Sequence, residues 1–374
     1  MSNKASMPPI APTPQQLTWQ QAALGVFFHM GVNTFRSVEW SDGTIPASAF
    51  DPSDLDADQR VRTAKDLGAA YVVLTAKHHD GFCLWPTATT EYSVTSSPFR
   101  DGKGDLVGEV AEACRRHGIG LGLYLSPWDR NAPQYEDPAA YDELYLAQLR
   151  ELCTNYGELV ELWFDGAGSA GREYAWDHIG QLIEELQPRA MVFNMGPATI
   201  RWVGNEDGLA ADPCWYVTTS ADLNNYDEDV LAYDQARYLP PECDASIRTG
   251  WFWHADQEPK SLEHLLAIHD RSIGLGANLP IAEQENTVAK LSGLATSGDG
   301  SLEQAVEVAL ALFGPDRLMF GSDWPIAPEP FDVDSGTSRL LERIRQQSPA
   351  DQAQILHGTA ERVYRRAGEG SPPD

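Results

Sequence analysis

The chain has 374 residues, 42% of them apolar, which suits one large α/β barrel with an added module or two ordinary domains. Its 55 acidic residues against 27 basic ones give a net charge of −28, which leaves no basic stripe for nucleic acid and little attraction to an anionic membrane. A neutral substrate is therefore expected, and the 11 Trp and 13 Tyr are enough to line a sugar-binding surface as well as a core.

In chain order, residues 1–20 read as a Pro-rich, polar arm that joins the fold near Trp19. The arm has no apolar centre of the kind a signal peptide carries, and no later run is long and apolar enough to span a membrane, so the cytoplasm is the expected compartment. LGVFFHMG (24–31) predicts a first strand, 54–67 a helix, and AAYVVLTAKHH (69–79) a second strand whose consecutive apolar residues suit a buried parallel sheet. A helix over 105–118, stopped by Gly118, leads to a third strand at 119–129. A long helix (137–156), a strand (159–166), a helix ended by Pro188 and a strand at 190–197 follow. Alternation of this kind points to a TIM-like (β/α)8 barrel. From 198 to 257 the rhythm breaks into a region rich in Trp, Asp and Gly, as in the long loops that carry specificity. A helix over 261–274 restores it, and GANLPIA (276–282) reads as the last strand of the barrel.

Five strand ends carry polar groups: His29, then His78 with His79, then Trp128 with Asp129, then Asp165, then Asn194. In a barrel all five face one bowl. Asp165 follows ELWF, read as a buried strand, so its carboxylate is well fixed and can act as nucleophile, base or metal ligand. The histidines fit a metal less well than sugar hydroxyls. There is no HxH at the first strand, and in extended backbone His78 and His79 face opposite ways. The five cysteines, at 83, 114, 153, 214 and 243, form no CxxC, so neither a disulfide framework nor a thiolate zinc site is expected.

GVFFHMG, TAKHHDGFCLWPT, LGLYLSPWD, LWFDGA, RWVGNEDG and SIRTGWFWH together resemble the family 29 glycoside hydrolases, the α-L-fucosidases, over about residues 15–282. The resemblance implies a TIM-like barrel, no cofactor, and a retaining double displacement on terminal α-L-fucose of a fucosylated oligosaccharide or glycoside. It places the nucleophile at Asp165 and the fucose pocket at His29, His78 and His79, with Glu39 and Trp40 from the first long loop. The branch acting on α-1,3/1,4-linked fucose carries its general acid in the RWVGNE motif, here Glu206, with Glu242 as the fallback. Trp128, Arg248 and Trp251 are expected to shape the same pocket or its rim, together with Trp253 and His254. Phe28, Trp163 and Trp251 are candidates for an aromatic wall against the fucose methyl.

After residue 282 the pattern changes. NTVAKLSGLATS, VEVALALFGPDRLMFGSDWPIA and ILHGTAERVYR resemble the end of an amidohydrolase barrel of the lactonase type, with Asp323 at its last strand. The HxH and middle histidines of that family have no counterpart in the chain, so Asp323 is expected to be a relic or a structural residue and to bind no metal. The expected organisation is a catalytic barrel over 1–285 and an amidohydrolase-like piece over 286–374 that packs on the barrel or supplies its late strands. A metal-dependent lactonase, or a silent carbohydrate-binding protein, is the competing reading. The oligomeric state is left open by the sequence.

Overall fold

In a computed structural model, which describes residues 10–223, 230–283, 289–291, 306, 310, 318–320 and 336–358, the apolar runs become the parallel strands of one sheet. These are β1 (Leu24–Phe28), β2 (Tyr71–Lys77), β3 (Gly120–Leu125), β4 (Glu161–Trp163) and β5 (Met191–Phe193). All seven residues of β2 are buried, as a strand covered on both faces requires. Helices α2 (Ala57–Asp66), α3 (Leu106–His117), α4 (Pro138–Asn155) and α5 (Trp176–Leu186) make the crossovers; α1 (Pro14–Ala22) precedes the first strand. Local chemistry fixes their ends. Asp105 caps α3 by accepting from the Gly108 N–H, Gly118 ends it at φ 64°, and Asp137 caps α4 through the N–H groups of Ala139 and Ala140.

Five short strands occupy the region where the βα rhythm broke. β6 (Arg201–Trp202) pairs in parallel with β9 (Pro241–Glu242), and β7 (Val217–Asp222) pairs antiparallel with β8 (Val230–Tyr238). β10 (Ala245–Ser246) joins the main sheet beside β11 (Leu279–Glu283). The full order is β10-β11-β1-β2-β3-β4-β5, a curled, open, seven-stranded parallel sheet that makes an irregular (β/α)8-like barrel. GANLPIA thus does supply a late strand, with Leu24 opposite Leu279. The interior of the barrel is filled by large rings from alternate strand positions, among them Phe27, Tyr71, Tyr124, Trp163 and Phe193.

The chain divides into two units, one of residues 1–64, 69–258 and 268–284, the other of 65–68, 259–267 and 285–374. In the second unit β12 (Ala289–Leu291) and β13 (Leu318–Phe320) pair in parallel with each other in a two-stranded sheet. Helices α7 (Gly336–Arg345) and α8 (Pro349–Ala353) follow; α6 (Leu262–Arg271) is shared between the units. Asp323 lies outside the described residues. Among the described residues no helix is long and apolar enough to cross a membrane.

Candidate active site

The C-terminal ends of β1 to β4 open into a cavity of about 590 Å³, counting its mouth. Seven sequence-predicted residues line it: His29, Trp40, His78, His79, Asp165, Glu206 and Trp251. Trp163, one of the aromatic-wall candidates, lines it too.

Asp165 stands two residues beyond β4 and keeps 24% side-chain exposure toward the cavity. The Ala167 N–H donates to Oδ1 (2.8 Å) and the Tyr124 hydroxyl to Oδ2 (2.9 Å), while His79 Nε2 lies 3.4 Å from Oδ2. Burial works to raise the Asp165 pKa. It is outweighed by the charge and hydrogen bond of His79, the Ala167 N–H and His78, so the carboxyl sits below the usual range and is ionised at neutral pH. His79 is itself oriented. The Ser126 hydroxyl donates to Trp128 O (2.7 Å), so Ser126 Oγ can only accept from His79 Nδ1, also 2.7 Å away. A hydrogen on Nδ1 leaves Nε2 able to donate to Asp165 only as an imidazolium.

His29 is 7% exposed, and among the described residues neither ring nitrogen has a hydrogen-bond partner. Burial and the neighbouring charges of His78 and His79 lower its pKa well below the ordinary value, so the ring is neutral at pH 7. A neutral imidazole offers one donor and one acceptor, a match for sugar hydroxyls. His78 also has its pKa lowered, mainly by burial. Both histidines of the pair line the cavity, against the expectation of opposite faces. β2 ends at Lys77, the chain turns there, and the two rings lie 4.2 Å apart.

Glu206 rides on a loop built to be stiff. Asn205 Oδ1 accepts from the N–H groups of Asp207 and Leu209, and Asn205 Nδ2 donates to Leu209 O. Gly204 and Gly208 flank the loop at φ 91° and 71°, conformations that L side chains rarely adopt. The loop places Glu206 in the same cavity as Asp165.

Four expected site residues lie outside the lining, and each has another task. Glu39 accepts from the backbone N–H groups of Trp251 (2.8 Å) and Phe252 (3.3 Å) and lies 3.0 Å from His254 Nε2, so it fastens the loop that presents Trp251. Trp128 packs behind Trp40 and His79, with ring centres 5.5 and 5.3 Å away. It needs Gly168 opposite, where a Cβ would come within 2.0 Å of the indole. Arg248 donates to Gln257 O. Glu242 is fully buried under the cavity floor, where it accepts from Trp163 Nε1 (2.9 Å) and Tyr71 OH (3.3 Å). From there it cannot reach a leaving group at the mouth. The bowl also loses two of its five strand ends. Asp129 turns away to pair with buried Lys77 at 3.0 Å, and Asn194 bonds Asp222 O and Trp202 N. Phe28 faces outward under Arg60, because strand alternation gives the inward position to Phe27.

Glu242 shares its buried site with Glu161, which accepts from Trp19 Nε1 at 3.1 Å. Burial pushes both carboxyls up, Glu242 further because the charge of Glu161 adds to it. The folded state thus holds a proton that the unfolded chain releases near pH 4.3, so this contribution to stability is complete below that pH and is lost as pH rises. Glu242→Gln is expected to gain on the wild type by up to about 1.4 kcal/mol per pH unit above that point, until the folded pKa is passed. Urea unfolding of both proteins at pH 4 and pH 7 checks this; an equal difference at the two pH values would contradict it.

Sequence reasoning missed Tyr124, Trp202 and Asp244, all in the lining. Tyr124 carried a signal, a phenol inside the otherwise apolar LGLYL, and its hydroxyl is the one that holds Asp165. Among the described residues no three His, Cys, Asp or Glu side chains are grouped as a metal site.

With this geometry in place, comparison with known proteins is decisive. The α-L-fucosidase family model matches residues 3–280. The chain belongs to the α-L-fucosidase family. It is 48% identical to α-L-fucosidase 1 of Arabidopsis thaliana over 277 residues, covering 71% of this chain and 54% of that protein. Plasma α-L-fucosidase of Homo sapiens is 30% identical over 232 residues, 52% of this chain and 47% of the human one. Among solved structures, a GH29 fucosidase of Ruminococcus gnavus in complex with fucose superposes with TM-score 0.65 at 31% identity, over 82% of this chain and 68% of that one. A glycoside hydrolase 29 family member from an unknown rumen bacterium gives 0.67 at 39%, over 74% and 53%. An amidohydrolase model matches residues 277–366, so the two family matches meet on β11. L-Fucono-1,5-lactonase of Burkholderia multivorans is 38% identical over 162 residues, 38% of this chain and 52% of that enzyme. The chain spans little more than half the length of the plant fucosidase it matches.

Proposed function

We propose that the protein is an exo-acting, retaining α-L-fucosidase that removes terminal fucose, α-1,3/1,4-linked, from fucosylated oligosaccharides or glycosides. The observation that carries the reading is Asp165, an ionised carboxylate held by Tyr124, Ala167 and His79 in one cavity with Glu206. Asp165 attacks the anomeric carbon while Glu206 gives its proton to the departing oxygen. Glu206 then takes a proton from the water that breaks the fucosyl ester. The neutral ring of His29, with two nitrogens to satisfy, binds sugar hydroxyls together with His78 and His79. Trp40 and Trp251 give the apolar wall, and Glu39, Trp128 and Arg248 support it from behind.

Release of nitrophenol from an aryl α-L-fucoside, with the first sugar product read by NMR as the α-anomer, tests this reading. A chelator should leave the rate unchanged. A β-anomer as first product would contradict retention, and chelator-sensitive hydrolysis of a sugar lactone would favour the lactonase reading that the C-terminal match raises. Residues 1–285 are proposed as the catalytic barrel and 286–374 as an amidohydrolase-like piece required for its folding, because residues 259–267 of the family-matched region cluster with that piece. A chain ending at residue 285 is accordingly expected to be insoluble; a soluble, active one would refute the requirement.

A further inference from the structure

A retaining displacement uses two carboxyl groups, and this cavity is lined by three. The third is Asp244, on the short link between β9 and β10. Its side chain is 3% exposed, and its Oδ1 accepts the indole N–H of Trp202. The loop that carries Glu206 is tied to the same place. Asp207 bridges to Ala245, and a Cβ at Gly208 would come within 3.0 Å of the Ala245 Cβ. One small piece of backbone therefore fixes both acids. The other ionisable groups around the cavity are Asp165 beyond β4, His29 beyond β1, His78 and His79 beyond β2, and the phenol Tyr124 on β3. Burial pushes the Asp244 carboxyl well above the usual range; the charge of Glu206, once it has given up its proton, and that of Asp165 add to this, and the Trp202 indole works against it.

We infer that Asp244 is a positioning residue for Glu206, a neutral carboxylic acid that keeps its proton while Glu206 releases and regains one. The inference rests on Glu206 being the acid/base. A count of charge shows what neutrality does. In the free enzyme Asp165 is ionised and Glu206 and Asp244 are protonated, so the three carboxyls carry one negative charge. In the first step an Asp165 oxygen bonds to the anomeric carbon, the glycosidic C–O bond breaks, and its oxygen takes the Glu206 proton. Asp165 is now a neutral ester and Glu206 a carboxylate, so the charge is again one. Water then bonds to the anomeric carbon, Glu206 takes its proton, the ester bond breaks and Asp165 recovers its charge. An ionised Asp244 would put two negative charges in the cavity at every stage, and Glu206 would part with its proton less readily.

The test is kcat/KM against pH for Asp244→Asn and Asp244→Ala, on an aryl fucoside and on an unactivated oligosaccharide, with Glu206→Ala as control. Asp244→Ala should lose about tenfold or more on the oligosaccharide through a displaced acid. Asp244→Asn, the neutral isostere, should recover most of that loss and keep the alkaline limb where the wild type has it. An alkaline limb lower by about one pH unit or more in Asp244→Asn would show that the wild-type residue is charged and overturn the inference. So would an Asp244→Ala variant that matches the wild type. If instead Glu206→Ala shows no dependence on the leaving group, it is the assignment of Glu206 that fails.

Discussion

Asp165→Ala should lower turnover by roughly four orders of magnitude or more, since a displacement without its nucleophile keeps only binding and acid catalysis. The fold should survive, because the side chain borders a cavity and its partners Tyr124 and His79 have other packing around them. Azide is small enough to occupy the vacated space, and with an aryl fucoside it should restore part of the rate and yield β-L-fucosyl azide. The product is diagnostic, since attack from the face of the lost carboxylate inverts the anomeric centre. Wild-type turnover in the variant, or azide rescue without that product, would remove Asp165 from its role.

The second large effect is expected at Glu206. Its replacement by alanine should slow hydrolysis of an unactivated oligosaccharide by roughly 10²–10⁴-fold, and of an aryl fucoside with a good leaving group far less in the first step. Poor leaving groups need the proton and good ones do not. The slow step for the good leaving group then becomes hydrolysis of the ester, where Glu206 serves as base. Azide should accelerate that step and give α-L-fucosyl azide, the anomer opposite to the one from Asp165→Ala. If Glu242→Ala gave this pattern instead, the roles would be exchanged; its full burial beneath Trp163 argues against that.

Much of this was legible in the sequence because parallel strands in a covered sheet are written as mostly apolar runs, and β1 to β5 fall within such runs even though Lys77 ends β2 and Glu161 opens β4. His29, His78, His79 and Asp165 were legible for the same reason, as polar groups at the ends of those runs. What periodicity could not carry was direction. Asp129 and Asn194 occupy the same kind of position as Asp165, yet a buried lysine claims one and a backbone carbonyl the other. His78 and His79 look opposed only if the strand is continued past Lys77. Glu39 was placed in the sugar pocket by the family resemblance. The N–H groups it satisfies belong to a loop 212 and 213 residues away, a pairing no local pattern records. Asp244 was passed over because its neighbours β9 and β10 have two residues each, too short to show alternation.

The most direct measurement is covalent trapping. A 2-deoxy-2-fluoro-fucosyl fluoride slows both steps but keeps a good leaving group, so the fucosyl-enzyme ester should accumulate as inactivation proceeds. Digestion and mass spectrometry should then find one fluorofucosyl group per chain, on the peptide that contains Asp165 and on that residue. Labelling of another carboxylate, or continued turnover of the reagent with no ester detected at any time, would contradict a double displacement through Asp165.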